Sequence, residues 1–238
     1  MKILKNIFKA LIPDPLKRKI YPLLLKEKIR RSWINRKVDQ NLDHLSLYWN
    51  DDEAPNRLQL IDLLKLLKLK IDSKTLHILE YGSHCGVNIK LLRKEMTGKN
   101  YNFYAVEPNV EAYDFLIKNL PEVVALNGDD QQFIQSEFPK RNVDISFVNS
   151  VFFSMEPSRA KSVFMRLLEI SDILVVGDGL DNCYGNNSQF ILKFNCYHHP
   201  FGSWLKGTGF KYSNIVIAHK AVPQLNGFLI ATKLGNIL

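Results

Sequence analysis

Apolar positions recur along this chain with two different periods, and the change from one to the other divides it. Over residues 1–37 they fall on helical stripes: Ile3, Leu4, Ile7, Phe8, Leu11 and Ile12 first, then Leu16, Ile20, Tyr21, Leu24, Leu25, Ile29, Trp33 and Ile34. Pro13 and Pro15 separate the two stripes, since proline cannot continue a helix. Residues 38–57 are polar and turn-rich around Tyr48 and Trp49 and read as a linker that folds over the rest. Residues 58–70 are helical in pattern and lead into the core. Short apolar runs then alternate with helical stretches. Strands are expected at about 76–81, 102–107, 122–126, 143–149 and 172–178, with helices starting near 86, 109, 130 and 157. Such alternation predicts a parallel sheet with right-handed crossovers. Lys211–Ala221 and Phe228–Lys233 are extended runs on either side of 222–227, where the chain can reverse, so they predict a terminal antiparallel hairpin. The expected organisation is a basic helical extension and lid over 1–57, followed by one α/β domain over 58–238.

Charge sharpens this division. The net +8 resides in residues 1–37, where 12 Lys/Arg face two acids; the remainder has 20 bases and 22 acids. A basic tail on a near-neutral domain suggests a docking segment and argues against a nucleic-acid-binding domain. Basic helices with apolar stripes fit an anionic membrane surface; packing on the domain with a solvated basic face is the rival reading. The lysines interrupt the apolar core that a secretory signal needs, and no apolar run reaches the length of a bilayer span. Cys85, Cys183 and Cys196 form neither a disulfide framework nor a zinc spacing, so no metal is expected and a reducing, cytoplasmic setting is, with peripheral membrane attachment.

The chemistry concentrates at strand ends. Leu76–Glu80 is an apolar strand closing on an acid. Tyr81-Gly82-Ser83-His84-Cys85-Gly86 is a glycine turn opening a helix, and Glu107 closes the second strand 21 residues after Gly86. This layout suits a nucleotide-type ligand held at the carboxyl ends of parallel strands. A dinucleotide fingerprint starting at Gly82 needs glycine at 84 and 87, where His84 and Val87 stand.

With the later Gly128-Asp129-Asp130 and Asn149-Ser150, these motifs make the chain resemble the class I S-adenosylmethionine-dependent methyltransferases over roughly 58–235. The resemblance implies a Rossmann-like sheet and S-adenosylmethionine as cofactor. It places Glu80, Gly82, Ser83 and Gly86 at the amino-acid end, Glu107 on the ribose, Asp129 or Asp130 at the adenine, and Asn149 and Ser150 beneath the reactive methyl. Arg57 could pair with the cofactor carboxylate, since a guanidinium fork suits that group; its rival reading is a surface arginine. His84 departs from the pattern, occupying a glycine position. Where many relatives carry a histidine after strand four, this chain has Ser154. Candidate bases are then His84, Asp178 and the pair His198-His199, each with a structural alternative as a packed or turn-forming residue.

Residues 180–207 are rich in Asn, Tyr, His, Phe and Trp, the groups that would take sugar hydroxyls and sugar faces. Residues 106–116 also resemble the FkbM-type sugar methyltransferases, although the later acidic motif of that group is not evident. The expected activity is O-methylation of a sugar or glycan hydroxyl, in surface-polysaccharide or lipid-linked glycan synthesis. Rival readings are methylation of nucleic acid or of another small molecule, and an inactive cofactor-binding module.

Overall fold

The computed structural model describes residues 44–52, 54–178, 189–191, 196–219 and 222–234. The amphipathic stretches of residues 1–37 lie outside these residues. The described chain begins with two helices, α1 (His44–Asn50) and α2 (Pro55–Lys68), where a linker was expected up to residue 57. Pro55 at the first turn of α2 explains its earlier start, because proline is pre-organised there and lacks only an N–H with no helical partner. Leu45 is buried against Cys85, Val87 and Ala112, and this burial gives α1 a tertiary reason to form.

The core alternates β1 (Thr75–Tyr81), α3 (Val87–Glu95), β2 (Asn100–Glu107), α4 (Val110–Asn119), β3 (Val124–Asn127), α5 (Asp130–Gln135), β4 (Val143–Val148), α6 (Pro157–Ile170) and β5 (Ser171–Val176). A short hairpin of β6 (Gln189–Ile191) and β7 (Cys196–His198), a small helix α7 (Phe201–Leu205), and β8 (Lys211–His219) and β9 (Val222–Thr232) complete it. One seven-stranded sheet runs in the order β3-β2-β1-β4-β5-β9-β8. β1 to β5 are parallel, and β9 is antiparallel to both β5 and β8. The expected parallel sheet with a terminal hairpin is therefore present, with the last strand inserted inside the sheet. The proposed loop 222–227 belongs to β9. Pairing of β9 with β5 is confined to Leu229–Thr232, while Val222–Phe228 pair with β8 alone. Pro223 is tolerated because it falls where the β8–β9 register shifts.

The sheet is covered on both faces, so its central strands are buried throughout. Leu60, Leu63, Leu64 and Leu67 of α2 join Ile78, Ile145 and Phe228 in one core. Leu79, Val148, Phe164 and Leu229 join the other. The chain leaves β1 toward β2 and β3, then returns to the opposite side of β1 as β4. The carboxyl ends of β1 and β4 thus form the crevice where ligands of open α/β sheets bind.

Candidate functional site

Everything at this crevice follows from how five strand ends are continued. After β1 the chain turns at Gly82, with φ of 77°, and enters α3 through Gly86, with φ of 81°. A Cβ on Gly82 would lie 2.5 Å from Val151 Cγ2, so glycine is required here by both conformation and space. Between the two glycines His84 also adopts a positive φ, 49°. Its backbone thus supplies the left-handed residue for which a third glycine was expected. The His84 N–H donates to Glu107 Oε2 at 2.6 Å, and its ring lies against Tyr48, with centroids 4.9 Å apart. These two contacts hold a conformation that non-glycine residues enter at a cost. Among the described residues the other non-glycine residue with positive φ is Ser150, at 61°, two positions after β4. Both left-handed non-glycine residues therefore flank the crevice.

Glu107 is buried at the end of β2 and its carboxylate is aligned by two backbone donors: His84 N–H on Oε2, and Asn109 N–H on Oε1 at 2.9 Å. Burial pushes its pKa up to about 7, against the pull of these hydrogen bonds. Each oxygen retains a lone pair for two adjacent ligand hydroxyls. Glu80 is 1% exposed at the end of β1. Its Oε1 accepts from Asn88 Nδ2 at 2.6 Å, while Oε2 has no hydrogen-bond partner. Burial raises Glu80 to about 8. Ser83 Oγ and Asn149 Oδ1 are likewise buried without a partner. Such groups are costly unless something meets them. Three of them where β1 and β4 end fit a ligand group rich in donors, such as an ammonium. Asn149 holds its place because Gly177 leaves room; a Cβ there would lie 2.4 Å from Asn149 Oδ1.

Arg57, weighed above as a surface residue, is 8% exposed. Its Nε donates to Asn88 Oδ1 at 3.1 Å, and its Nη1 donates to the Asp51 carbonyl and pairs with the Asp51 carboxylate. Asn88 thereby joins Glu80 to Arg57. Sequence reasoning missed it, because nothing in a lone asparagine near a helix start marks it as a bridge. Asn56 Nδ2 donates to Ser150 Oγ at 3.3 Å, so the start of α2 reaches both β1 and β4. The Trp49 ring meets Phe115 edge-on at 5.7 Å and carries Lys90 Nζ 4.8 Å from its centroid. Helix α1 thus closes over the turn with Tyr48 above His84.

The remaining candidates sit in definite but different roles. Asp129 caps α5, accepting from the N–H groups of Gln131 and Gln132 in a full capping box. Asp130 is buried and pairs with Arg159 of α6. Asp178 follows β5, and both its oxygens accept backbone donors, from Val151 N–H at 2.9 Å and Phe153 N–H at 3.0 Å. Burial nonetheless raises it to about 6. His199 is 3% exposed, donates from Nε2 to the Phe152 carbonyl at 2.9 Å, and is lowered to about 4 by burial. It is ringed by Tyr197, Phe201 and Trp204 at 5.3–5.9 Å. These aromatics, taken from sequence as sugar-facing, pack mainly on one another. Tyr184, Phe194 and the asparagines of 180–195 lie outside the described residues. Among the described residues no cluster of three or more His, Cys, Asp or Glu is placed to hold a metal, and no helix is long and apolar enough to cross a membrane.

This strand order, with an antiparallel last strand inserted beside β5, and this crevice define the fold of the S-adenosylmethionine-dependent methyltransferases. Solved structures share this fold. The plantazolicin methyltransferase BpumL, crystallised with SAH, matches with a TM-score of 0.62 at 13% identity over 92% of this chain and 99% of its own. DesVI of Streptomyces venezuelae matches with a TM-score of 0.59 at 12% identity over 83% of this chain and 100% of its own. The magnesium protoporphyrin IX methyltransferase of Synechocystis PCC 6803, crystallised with SAM, matches with a TM-score of 0.54 at 12% identity over 94% and 99%. At such identities the likeness establishes the fold. No family model and no curated protein matches the chain.

Proposed function

We propose that this protein is an S-adenosylmethionine-dependent O-methyltransferase acting on a sugar or glycan hydroxyl. The observation that carries the cofactor assignment is the trio of buried, unpartnered atoms Glu80 Oε2, Ser83 Oγ and Asn149 Oδ1 at the crevice of this fold. They fit the ammonium of a methionine moiety, and the aligned Glu107 carboxylate fits a ribose diol. When bound, the cofactor supplies an electrophilic methyl on sulfur. The protein's own work is then proximity and orientation. The Gly82 turn admits the ligand backbone, Glu107 sets the nucleoside, Arg57 and Asn88 hold Glu80, and α1 excludes water above His84. An oxygen acceptor must also lose a proton. Asp178 and His199 have their polar atoms turned to the backbone of residues 151–153, so we assign that proton to His84, at the mouth of the crevice.

The sugar preference draws on the composition of 180–207, and the membrane partner on the +10 charge of residues 1–37. Calorimetry with SAM tests the cofactor assignment, and a complete failure to bind would overturn it. Incubation with methyl-labelled SAM and lipid-linked or nucleotide-linked sugars tests the acceptor. Label in the sugar supports the reading; label confined to RNA or protein sinks it.

A further inference from the structure

Asp178, just after β5, and His199, just after β7, grip the same short turn. That turn, 150–155, follows β4. Asp178 takes the N–H groups of Val151 and Phe153, and His199 donates to the carbonyl of Phe152 between them. Inside the turn, Ser154 Oγ donates to the Val151 carbonyl at 2.8 Å, and Phe152–Ser154 forms one 3-10 turn. From a third side Asn56 of α2 bonds Ser150. The side chain so held is Val151, which occupies the space beside Gly82 where a Cβ would sit. The turn therefore touches the cofactor crevice on one side and is held by Asp178 and His199 on the other.

On the methyltransferase reading above, we infer that Asp178 and His199 are positioning residues, a two-point clamp that holds Val151 against the cofactor turn at Gly82. In this role neither handles the substrate proton. The clamp needs donors and acceptors in one definite order: two acceptors on Asp178 flanking one donor on His199. A buried carboxylate whose oxygens both face N–H groups, and a buried imidazole whose N–H faces a carbonyl, are matched to backbone and have little left for a ligand.

The test uses the full chain, with amide hydrogen exchange and calorimetric titration of SAH. In the wild type, the amides of Val151 and Phe153 are expected to be protected. Asp178→Ala should expose both, and Asp178→Asn should expose one and spare the other, since only one acceptor oxygen remains. His199→Phe keeps the aromatic packing and removes the donor. It should loosen the same turn, and SAH affinity should fall on the order of tenfold in Asp178→Ala and His199→Phe, the size of one lost hydrogen bond. Protected amides of Ile145 and Val175 in every variant show that the sheet is intact. A rigid turn in Asp178→Ala, or a loosened turn with SAH affinity within twofold of wild type, overturns the clamp alone. A wild type that binds no SAH while its turn stays protected overturns the cofactor reading and the clamp's effect on the cofactor with it.

Discussion

Glu80 is the residue whose burial does most to tie this site to pH. Its pKa stands at about 8 in the folded chain against an ordinary 4.5. Between these values the folded state holds a proton that the unfolded state releases. Its contribution is full below about 4.5, declines by up to about 1.4 kcal/mol per pH unit, and is gone above about 8. Glu80→Gln should remove that decline. Melting curves at pH 6 and pH 8.5 should therefore diverge less in the variant; equal divergence in both proteins would refute the assignment. Binding of a cationic cofactor beside Glu80 should in turn expel the proton, so affinity rises as pH approaches 8, and calorimetry in buffers of different ionisation enthalpy reads the release. Glu107 makes a second case. Glutamine there has one acceptor oxygen for the two N–H groups of His84 and Asn109, so Glu107→Gln should weaken SAH on the order of tenfold or more. That Glu80 and Glu107 stand at strand ends and that Gly82 and Gly86 make the turn was legible from type and spacing, because each is set by its neighbours in the chain. The partners that fix them, Asn88 and Val151, were not, since each acts through a contact made across elements.

At the scale of elements, the strands and helices of the core lie close to where hydrophobic periodicity put them, because each buries a face whose period is local. The departures lie where contact overrides composition. The polar stretch around Tyr48-Trp49 becomes α1 because Leu45 and Trp49 find apolar partners on α3 and α4. Trp49→Ala removes the edge contact with Phe115 and the Lys90 cation above the ring. It should speed proteolytic cleavage before Pro55 while the sheet stays protected; an unchanged cleavage rate would show that α1 is held otherwise. A second element-level bond is the Asp130–Arg159 pair joining α5 to α6. Arg159→Met would strand a buried carboxylate, and urea denaturation should show a loss of about 3–5 kcal/mol.

For the whole molecule, the division of charge matters most. Residues 1–37 carry +10, and the remainder of the chain, 38–238, is net −2. The described chain starts at α1, beside the mouth of the crevice. Deleting residues 1–37 should abolish sedimentation with vesicles containing phosphatidylglycerol and leave SAH affinity unchanged. Each basic residue near such a surface contributes about 1 kcal/mol, so raised salt should weaken the full chain. Vesicle binding that survives the deletion would move the membrane contact to the domain.

By itself the sequence determined the alternation of strands and helices, the acids and glycines at the strand ends, and the segregation of charge. Each of these is carried by residues near one another in the chain. The tertiary structure alone decided that β9 enters the sheet between β5 and β8, that His84 takes a left-handed backbone held by Glu107, and that Asp178 and His199 meet on one turn. Those outcomes depend on hydrogen bonds between residues 23 to 47 positions apart, and on strand pairing over longer separations still. No local period encodes which distant N–H will find which carboxylate; packing of the two cores against the sheet brings them together.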